Sequence, residues 1–266
     1  SKRAFIDMTI VSIAIPELQQ DLHLSSTGVQ WVVNAYLLSL ATLLAFGGRV
    51  GDVLGHKRMV LLGVVIFATA SALNGLTPTG GAAEAWIITF RAVQGLGAAL
   101  MFPAALAIVV SMFPLAERGR AMAVFFGAAG GFTAVGPLLG GVLSEWTWRS
   151  IFWVNIPVAI VAVVLTLMAK PVDAYQRARI DVVGLVLITA GMGLAILGLQ
   201  QASDWGWDDP LTWACIAVGL ALLVVFFVVE RRIEVPLVDV AIFKVRAFFV
   251  ENAVLFVTMV VFIPIF

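Results

Sequence analysis

Long apolar stretches alternate with short polar connections along almost the whole chain. A helix needs about 20 mostly apolar residues to cross a bilayer, and nine stretches approach that length. They cover residues 4–20, 29–47, 59–77, 84–112, 120–144, 150–169, 182–200, 211–230 and 247–266. The pattern therefore predicts an all-α integral membrane protein.

The composition supports this prediction. The chain is 62% hydrophobic and only 12% charged, with a mean hydropathy of +1.06, whereas a soluble domain is near half apolar and a quarter charged. The formal net charge of zero argues against a nucleic-acid partner. The single cysteine, Cys215, lies in an apolar run, and we interpret it as a small core residue.

The basic residues are distributed unequally between alternate connections. One set of connections carries twelve Lys and Arg, and the other set carries one, Arg149. The positive-inside rule places the basic set in the cytoplasm, so the N-terminus is predicted to be cytoplasmic and odd-numbered helices to run outward. The eight tryptophans lie at or near predicted outer helix ends, and we interpret them as interfacial anchors rather than a substrate-binding box. They are Trp31, Trp86, Trp146, Trp148, Trp153, Trp205, Trp207 and Trp213.

The two ends of the chain and one polar segment bear on its organisation. Only about a dozen apolar residues separate Arg3 from Pro16, and the last predicted helix reaches Phe266. We therefore expect a fragment, or a sequence from which flanking residues are missing, with helix 1 truncated. The polar segment 170–181 separates six helices, residues 1–169, from the rest, and we predict it to be a cytoplasmic linker and domain boundary.

Signatures of enzymes and motors are missing from the sequence. There is no Gly-Lys pair and hence no phosphate-binding G-x-x-x-x-G-K-[ST] loop. There is also no H-E-x-x-H or G-x-S-x-G motif, and the two histidines, His23 and His56, lie on opposite predicted sides of the membrane. The sequence predicts no enzyme, no metal site and no built-in ATP motor.

Ionisable residues within the predicted spans are the main functional signal. Arg91 lies deep in the fourth span, where a charge costs about 2.5–3.5 kcal/mol even on the insertion scale. It forms either a structural ion pair or part of a substrate or proton site. Asp7, in the first span, is its candidate partner and could exchange a proton for a cation, unless it lies at the cytoplasmic edge. Glu251, early in the last span, is either interfacial or a second coupling residue.

The segment Gly47–Arg58, G-G-R-V-G-D-V-L-G-H-K-R, is the densest polar motif. Its glycines permit a tight backbone, Asp52 can cap or pair, and Lys57 with Arg58 favours the cytoplasm. One interpretation is a basic loop that only sets topology. The other is a tight turn held by Asp–Arg contacts that locks two helix bundles together.

The stretch from Phe125 to Leu143 is apolar enough to cross a bilayer but contains six glycines and a proline, Pro137. Small residues four apart allow a neighbouring helix to approach closely, and the proline predicts a bend. The stretch is either a packing helix or a bendable hinge or seal. The residues involved are Gly127, Gly131, Gly136, Pro137, Gly140 and Gly141.

Several of these segments resemble motifs of the major facilitator superfamily. The Gly48–Arg58 segment resembles the family's motif between helices two and three, although Val53 replaces the usual basic residue. Its matching positions are Gly48, Asp52, Gly55, Lys57 and Arg58. R-A-V-Q-G-L-G-A-A, from Arg91, resembles the helix-four motif whose arginine is tied to proton transfer. G-P-L-L-G-G at 136–141 resembles the helix-five motif of antiporters, which is associated with export.

Three further segments resemble the fourteen-helix branch of drug:proton antiporters. They are F-I-D-M-T-I-V-S-I-A-I-P at 5–16, with Ser12 in place of the usual asparagine, W-R-S-I-F-W-V-N-I-P at 148–157, and P-L-V-D-V-A-I-F-K-V-R-A-F at 236–248. The resemblance implies an N-terminal six-helix bundle in 1–169 and an extra helix pair in 182–230. It also implies a cytoplasmic loop in 231–246 and the first helix of an otherwise missing C-terminal bundle in 247–266.

The implied function is secondary active transport in the cell membrane. The resemblance implies proton-coupled export of lipophilic, cationic drugs by alternating access, with Asp7 and Arg91 at one central cavity. No cofactor is expected, because a proton gradient supplies the energy, and the partners are the bilayer, protons, the substrate and the missing C-terminal half. Two alternatives remain: export of an endogenous metabolite, amino acid or lipid, and a non-transport scaffold or sensor derived from a partial transporter.

Overall fold

The computed structural model describes residues 14–169, 181–233 and 245–262. Within these ranges the chain is α-helical and contains no strand, which confirms the predicted class. The helices are α1 (14–22), α2 (Ser26–Leu54), α3 (His56–Gly75), α4 (Ala83–Met112), α5 (Arg118–Ser144), α6 (Ser150–Trp153), α7 (Asn155–Met168), α8 (Val182–Trp205), α9 (Pro210–Glu230) and α10 (Arg246–Phe262).

The lengths of the helices fit a multi-pass membrane protein. Among the described residues, six helices are long and apolar enough to cross a membrane: α2, α3, α4, α8, α9 and the unit Ser150–Met168, which comprises α6 and α7. α5 is 27 residues long, or about 40 Å at 1.5 Å per residue. The predicted linker 170–181 lies almost entirely outside the described residues, and so does most of the loop 231–246 and of the first predicted span.

α4 is the helix around which the first part of the chain packs. It contacts α2 on one side and α3 on another, and α3 in turn packs against α7. α8 and α9 form an antiparallel hairpin whose first helix also packs on α2. α2 therefore joins the N-terminal helices to the hairpin.

The core consists of two apolar clusters at different heights along the helices. The first surrounds the end of α1 and includes Leu18, Val32, Ile87 and Phe152. The second lies further along α4 and includes Tyr36, Phe67, Met101 and Ala159. Because α4 contributes Ile87 to the first and Met101 to the second, the residues between them on this helix lie between two apolar layers.

Glycines allow the helices of this core to approach closely. A Cβ added to Gly97 on α4 would lie 2.7 Å from the amide nitrogen of Phe67, and one on Gly63 of α3 would lie 2.6 Å from the carbonyl oxygen of Gly97. The α8–α9 hairpin uses the same device, since a Cβ on Gly219 would lie 2.7 Å from the carbonyl oxygen of Gly191. Such contacts increase the van der Waals attraction between the helices, which matters in a bilayer because lipid tails are as apolar as the side chains and provide no hydrophobic driving force for association.

The glycines of α5 behave differently. No atom lies within 4 Å of a Cβ added to Gly127, Gly131 or Gly141, whereas Gly136 and Gly140 are buried. No described residue therefore packs closely against the first glycine pair, and the close helix contact expected there stays a prediction. α5 continues as a helix through position 137, and a bend at that position stays a prediction.

Substituting Gly97 with alanine tests this packing. Because the new methyl would meet α3 backbone rather than a side chain that can move away, we expect Gly97→Ala to destabilise the protein by about 1–3 kcal/mol. The measurement is the midpoint of thermal unfolding in detergent. Gly119→Ala is the matched control, because Gly119 on α5 is exposed with nothing within 4 Å of its Cβ. Equal midpoints for the two variants would contradict the contact.

Candidate functional site

Arg91 is completely buried in the first third of α4. Its Nε donates to the carbonyl oxygen of Val32 at 2.9 Å, and its Nη1 donates to Oε1 of Gln94 at 2.9 Å. The guanidinium carbon lies 4.4 Å from the centroid of the Tyr36 ring. These three described partners are neutral: a carbonyl dipole, an amide dipole and the face of an aromatic ring each contribute to stabilising the charge.

Arg91 belongs to a layer of buried polar side chains between the two apolar clusters. The Nδ2 of Asn74 donates to the same Gln94 Oε1 at 3.1 Å. Nearby, the Oγ of Ser71 donates to the carbonyl oxygen of Phe152 at 2.9 Å and accepts from Nδ2 of Asn155 at 3.0 Å. We call the set Ser71, Asn74, Arg91, Gln94 and Asn155 the polar layer. It links α3, α4 and the α6–α7 unit.

The carboxylates predicted from the sequence are not brought to Arg91 by the described residues. Asp7 lies outside them, so its pairing with Arg91 stays a prediction. Glu251 is exposed on α10. Glu84, one residue into α4, accepts hydrogen bonds from the amide and the hydroxyl of Ser25 at 3.1–3.2 Å.

The predicted inner loop is instead a corner of one residue. α2 continues to Leu54 and α3 begins at His56, so only Gly55 leaves the helix, with φ of 97° and ψ of 131°. The prediction of a loop over Gly47–Arg58 is wrong, because α2 stays helical up to Leu54. The end of the membrane span near residue 47 stays a prediction, since a helix can extend beyond the bilayer. Gly48 and Asp52 therefore lie on the last turns of α2.

Contacts across this corner also differ from those expected. The Asp52 carboxylate faces Nε2 of His56 at 3.7 Å rather than Arg58. Arg49, assigned from the sequence to the connection, is a buried residue of α2. Lys57 does not simply extend into the cytoplasm: its Nζ donates to the carbonyl oxygens of Leu167 at 3.0 Å and Ala169 at 2.6 Å. It thereby caps the C-terminus of α7, where a cation is favoured.

The opposite end of the bundle is closed by a cluster of polar contacts. Oδ2 of Asp21 accepts from Nε1 of Trp148 at 2.8 Å and from Nη1 of Arg149 at 3.1 Å. Nη2 of Arg149 also donates to the carbonyl oxygen of Thr77 at 2.9 Å. We call Asp21, Thr77, Trp148 and Arg149 the clasp. Because Trp148 is only 3% exposed, its interpretation as an interfacial anchor is wrong.

Sequence reasoning missed the uncharged members of the polar layer. Asn74 and Gln94 are completely buried. In the sequence, however, the free-energy cost of burying one neutral amide in an apolar span is too small to single it out as a candidate site residue. A signal did exist, because Gln94 is three residues after Arg91 and so lies on the same face of the helix. The structure also gives the W-R-S-I-F-W-V-N-I-P segment a physical role. It supplies Trp148 and Arg149 to the clasp and Asn155 to the polar layer.

The apolar helices packed around a buried cation define a multi-pass membrane protein, and the family can now be named. The sequence profile of the Major Facilitator Superfamily matches residues 4–265, and the chain belongs to that family. The family points to a transporter rather than an enzyme. One solved structure, a bacterial homologue of the human lysosomal transporter Spinster in an inward-facing, occupied conformation, matches with a TM-score of 0.50 and 18% identity. The match covers 85% of this chain and 57% of that one.

Three curated relatives are named for export or resistance. The tetracenomycin C resistance and export protein of Streptomyces glaucescens is 39% identical over 90% of this chain and 44% of its own length. The puromycin resistance protein of Streptomyces alboniger is 39% identical over 87% and 46%. The cephamycin export protein of Amycolatopsis lactamdurans is 37% identical over 89% and 49%. The chain thus spans about half the length of these relatives.

The Gly55 corner predicts a difference between two glycines of one motif. Its dihedral angles are accessible almost only to glycine, so Gly55→Ala should cost about 1–3 kcal/mol and lower the thermal unfolding midpoint. Gly48→Ala is the control, because Gly48 is helical and its added Cβ would make an ordinary contact of 3.7 Å with Pro103. A midpoint for Gly55→Ala at or above that of Gly48→Ala would show that the corner is not constrained in this way.

Proposed function

We propose that the whole protein containing this chain exports lipophilic, cationic compounds in exchange for protons. The observation that carries the proposal is the set of relatives named for antibiotic export and resistance, which are 37–39% identical to nearly the whole chain. Buried Arg91 supports it from the physical side, because a charge kept inside an apolar helix needs a function or a partner to offset its cost.

The residues divide between a coupling site and two gates in this proposal. Asp7 releases its proton when substrate binds from the cytoplasm and regains one from outside after release. The positive charge of Arg91 sets the electrostatic environment of the Asp7 carboxylate. Glu251 is the alternative proton carrier. The corner at Gly55 closes the cytoplasmic side, whereas α5, with Pro137, shapes the outer gate. The cycle is alternating access about a site shared by two bundles.

We also propose the division of the chain that the sequence indicates. Residues 1–169 form the N-terminal bundle, 182–230 an additional helix pair, and 247–266 the start of the C-terminal bundle. The packing of α8 on α2 supports the view that the pair is attached to the outside of the first bundle. The Lys57 contacts support a close relation between the inner corner and the start of the linker 170–181, because Ala169 immediately precedes that segment.

The proposal is tested with the complete reading frame that contains this chain, expressed in everted membrane vesicles. The probe is ethidium, a fluorescent lipophilic cation, and accumulation is measured before and after an ionophore collapses the pH gradient. We expect accumulation to depend on the gradient. Accumulation that continues unchanged after the collapse would exclude proton coupling.

Two carboxylate variants then identify the proton carrier. We expect Asp7→Asn to abolish gradient-driven accumulation, because an amide cannot release a proton, and Glu251→Gln to retain it. The opposite result would assign the role to Glu251. If Asp7→Asn also leaves transport of divalent cations intact, the role given to Asp7 is wrong.

Export of an endogenous metabolite, amino acid or lipid is the main rival, and a non-transport scaffold or sensor is the second. A panel of labelled metabolites, amino acids, lipids and drugs in the same vesicles separates export of an endogenous compound from drug export. Failure of every compound to move, with the protein folded and inserted, would favour the scaffold or sensor.

A further inference from the structure

A narrow apolar cleft lies on the surface of the bundle, between residues 64–69 of α3 and 156–164 of α7. We call it the α3–α7 cleft. Its volume is about 260 Å³, and eight of its nine lining residues are apolar, the exception being Thr69. We propose that this cleft holds one hydrocarbon chain of a bilayer lipid.

The cleft opens to the surface at the depth of lipid tails. Val64 and Ala159 form its buried floor, whereas Val65, Ile160 and Val164 are exposed along its rim. The α3 part of the cleft lies near the middle of a 20-residue helix that is long enough to cross a membrane. The rim therefore faces hydrocarbon rather than water.

The two helices are fastened on either side of the cleft. On one side, Nζ of Lys57 at the start of α3 donates to the carbonyl oxygens of Leu167 and Ala169 at the end of α7. On the other side, Nδ2 of Asn155 on α7 donates to Oγ of Ser71 on α3 at 3.0 Å. Because these polar contacts fix the spacing of α3 and α7 beyond both ends of the cleft, the helices do not close it by moving together.

The far ends of the same two helices also cap each other. Lys57 provides a cation at the C-terminus of α7, and Arg149, just before α6, donates from Nη2 to the carbonyl oxygen of Thr77, just after α3. A cation is stabilised at a helix C-terminus by the helix dipole. The fastening therefore extends along the whole helix pair.

The side chains that line the cleft do not refill it by changing rotamer. Six of the nine are valine or isoleucine, and a β-branched side chain in a helix has one strongly preferred χ1 rotamer. Leucine and methionine are more adaptable, but neither lines this cleft. Left empty, the cleft would deprive its walls of van der Waals partners, and an occupant that restores them is favoured.

The size and polarity of the cleft select the occupant. Sites for drug-sized ligands are about 300–1,000 Å³ and carry several placed polar groups, whereas this cleft is smaller and offers one hydroxyl. A helix from a second copy is about 10–12 Å across with its side chains, so it would cover the cleft without filling it. A lipid chain is thin, needs no polar partner and is the apolar molecule in excess in any bilayer.

The experiment is photo-crosslinking of the complete protein in vesicles of phosphatidylcholine that carries a diazirine near the end of one acyl chain. Adducts are mapped residue by residue by mass spectrometry after illumination. We expect about tenfold more adduct in the cleft than on Val218 and Val224, which are exposed on α9. The reason is that a chain in the cleft gains contacts from a floor and two walls, and tenfold occupancy corresponds to about 1.4 kcal/mol.

Two variants fill the cleft, and a third is the control. Ala68 is partly buried in the lining, so the side chain in Ala68→Leu would occupy the space of the chain, and Val65→Phe would cover it from the rim. Ala162→Leu is the matched control, because Ala162 is partly buried on α7 but does not line the cleft. We expect the excess adduct to disappear in the first two variants and to persist in the control, with all three folded by their thermal unfolding midpoints.

Three results would overturn the proposal. The first is an equal yield in the cleft and on α9 in the unmodified protein, which would also be the outcome if another segment of the protein covered the cleft. The second is an excess that survives both filling variants. The third is an excess that is lost when phosphatidylglycerol with the same chains replaces phosphatidylcholine, since a chain site is indifferent to the headgroup. None of these measurements requires transport, so they hold whether or not the proposed export function is correct.

Discussion

A guanidinium group that is shielded from water must obtain its hydrogen bonds and its counter-dipoles from the protein, and Arg91 imposes this constraint on the centre of the bundle. Val32 fixes the distance between α2 and α4 at this height, and Asn74 brings in α3 through Gln94. The close glycine contacts further along α4 are what allow the three backbones to come near enough. The polar layer and the tight packing therefore depend on each other.

The sequence was sufficient to predict the class and most helix boundaries, because the requirement for long apolar stretches is strict. It was not sufficient for α2, whose end is set by Gly55 and not by hydropathy. A helix that leaves the bilayer keeps its backbone bonded, so the polar residues Arg49 and Asp52 gave no warning that the helix continues. Only the dihedral angles of Gly55 show where it ends.

Glycines and tryptophans were harder to interpret, because each residue type serves several purposes in membrane helices. The conspicuous cluster on α5 drew attention, whereas Gly63 and Gly97, which belong to no comparable cluster, bring α3 and α4 into close contact. Trp148 resembles an interfacial residue by position and composition. Its partner, Asp21, is more than a hundred residues away, and local patterns carry no information about such a pairing.

Arg91 could be selected from sequence alone, since a charge in a span has a large cost, but its described partners could not. They are a backbone carbonyl, an aromatic ring and an amide, which are ordinary groups in any helix. The partners in the clasp and those of Lys57 could not be read from the sequence either. Both sets of polar contacts join segments that are distant in sequence, so the ends of the bundle are fixed more firmly than the short polar connections suggest.

The α8–α9 hairpin has a consequence for how chains of this kind change length. Its two helices pack tightly on each other through Gly191 and Gly219, and each begins with its own cap, from Asp181 to the amide of Gly184 and from Asp209 to that of Leu211. Each of its helices is long and apolar enough to cross a bilayer, and a unit that crosses twice returns to the side from which it started. On the proposed division of the chain, such a pair can be gained or lost between the two bundles without inverting any helix that follows, provided that one face of α2 accepts it.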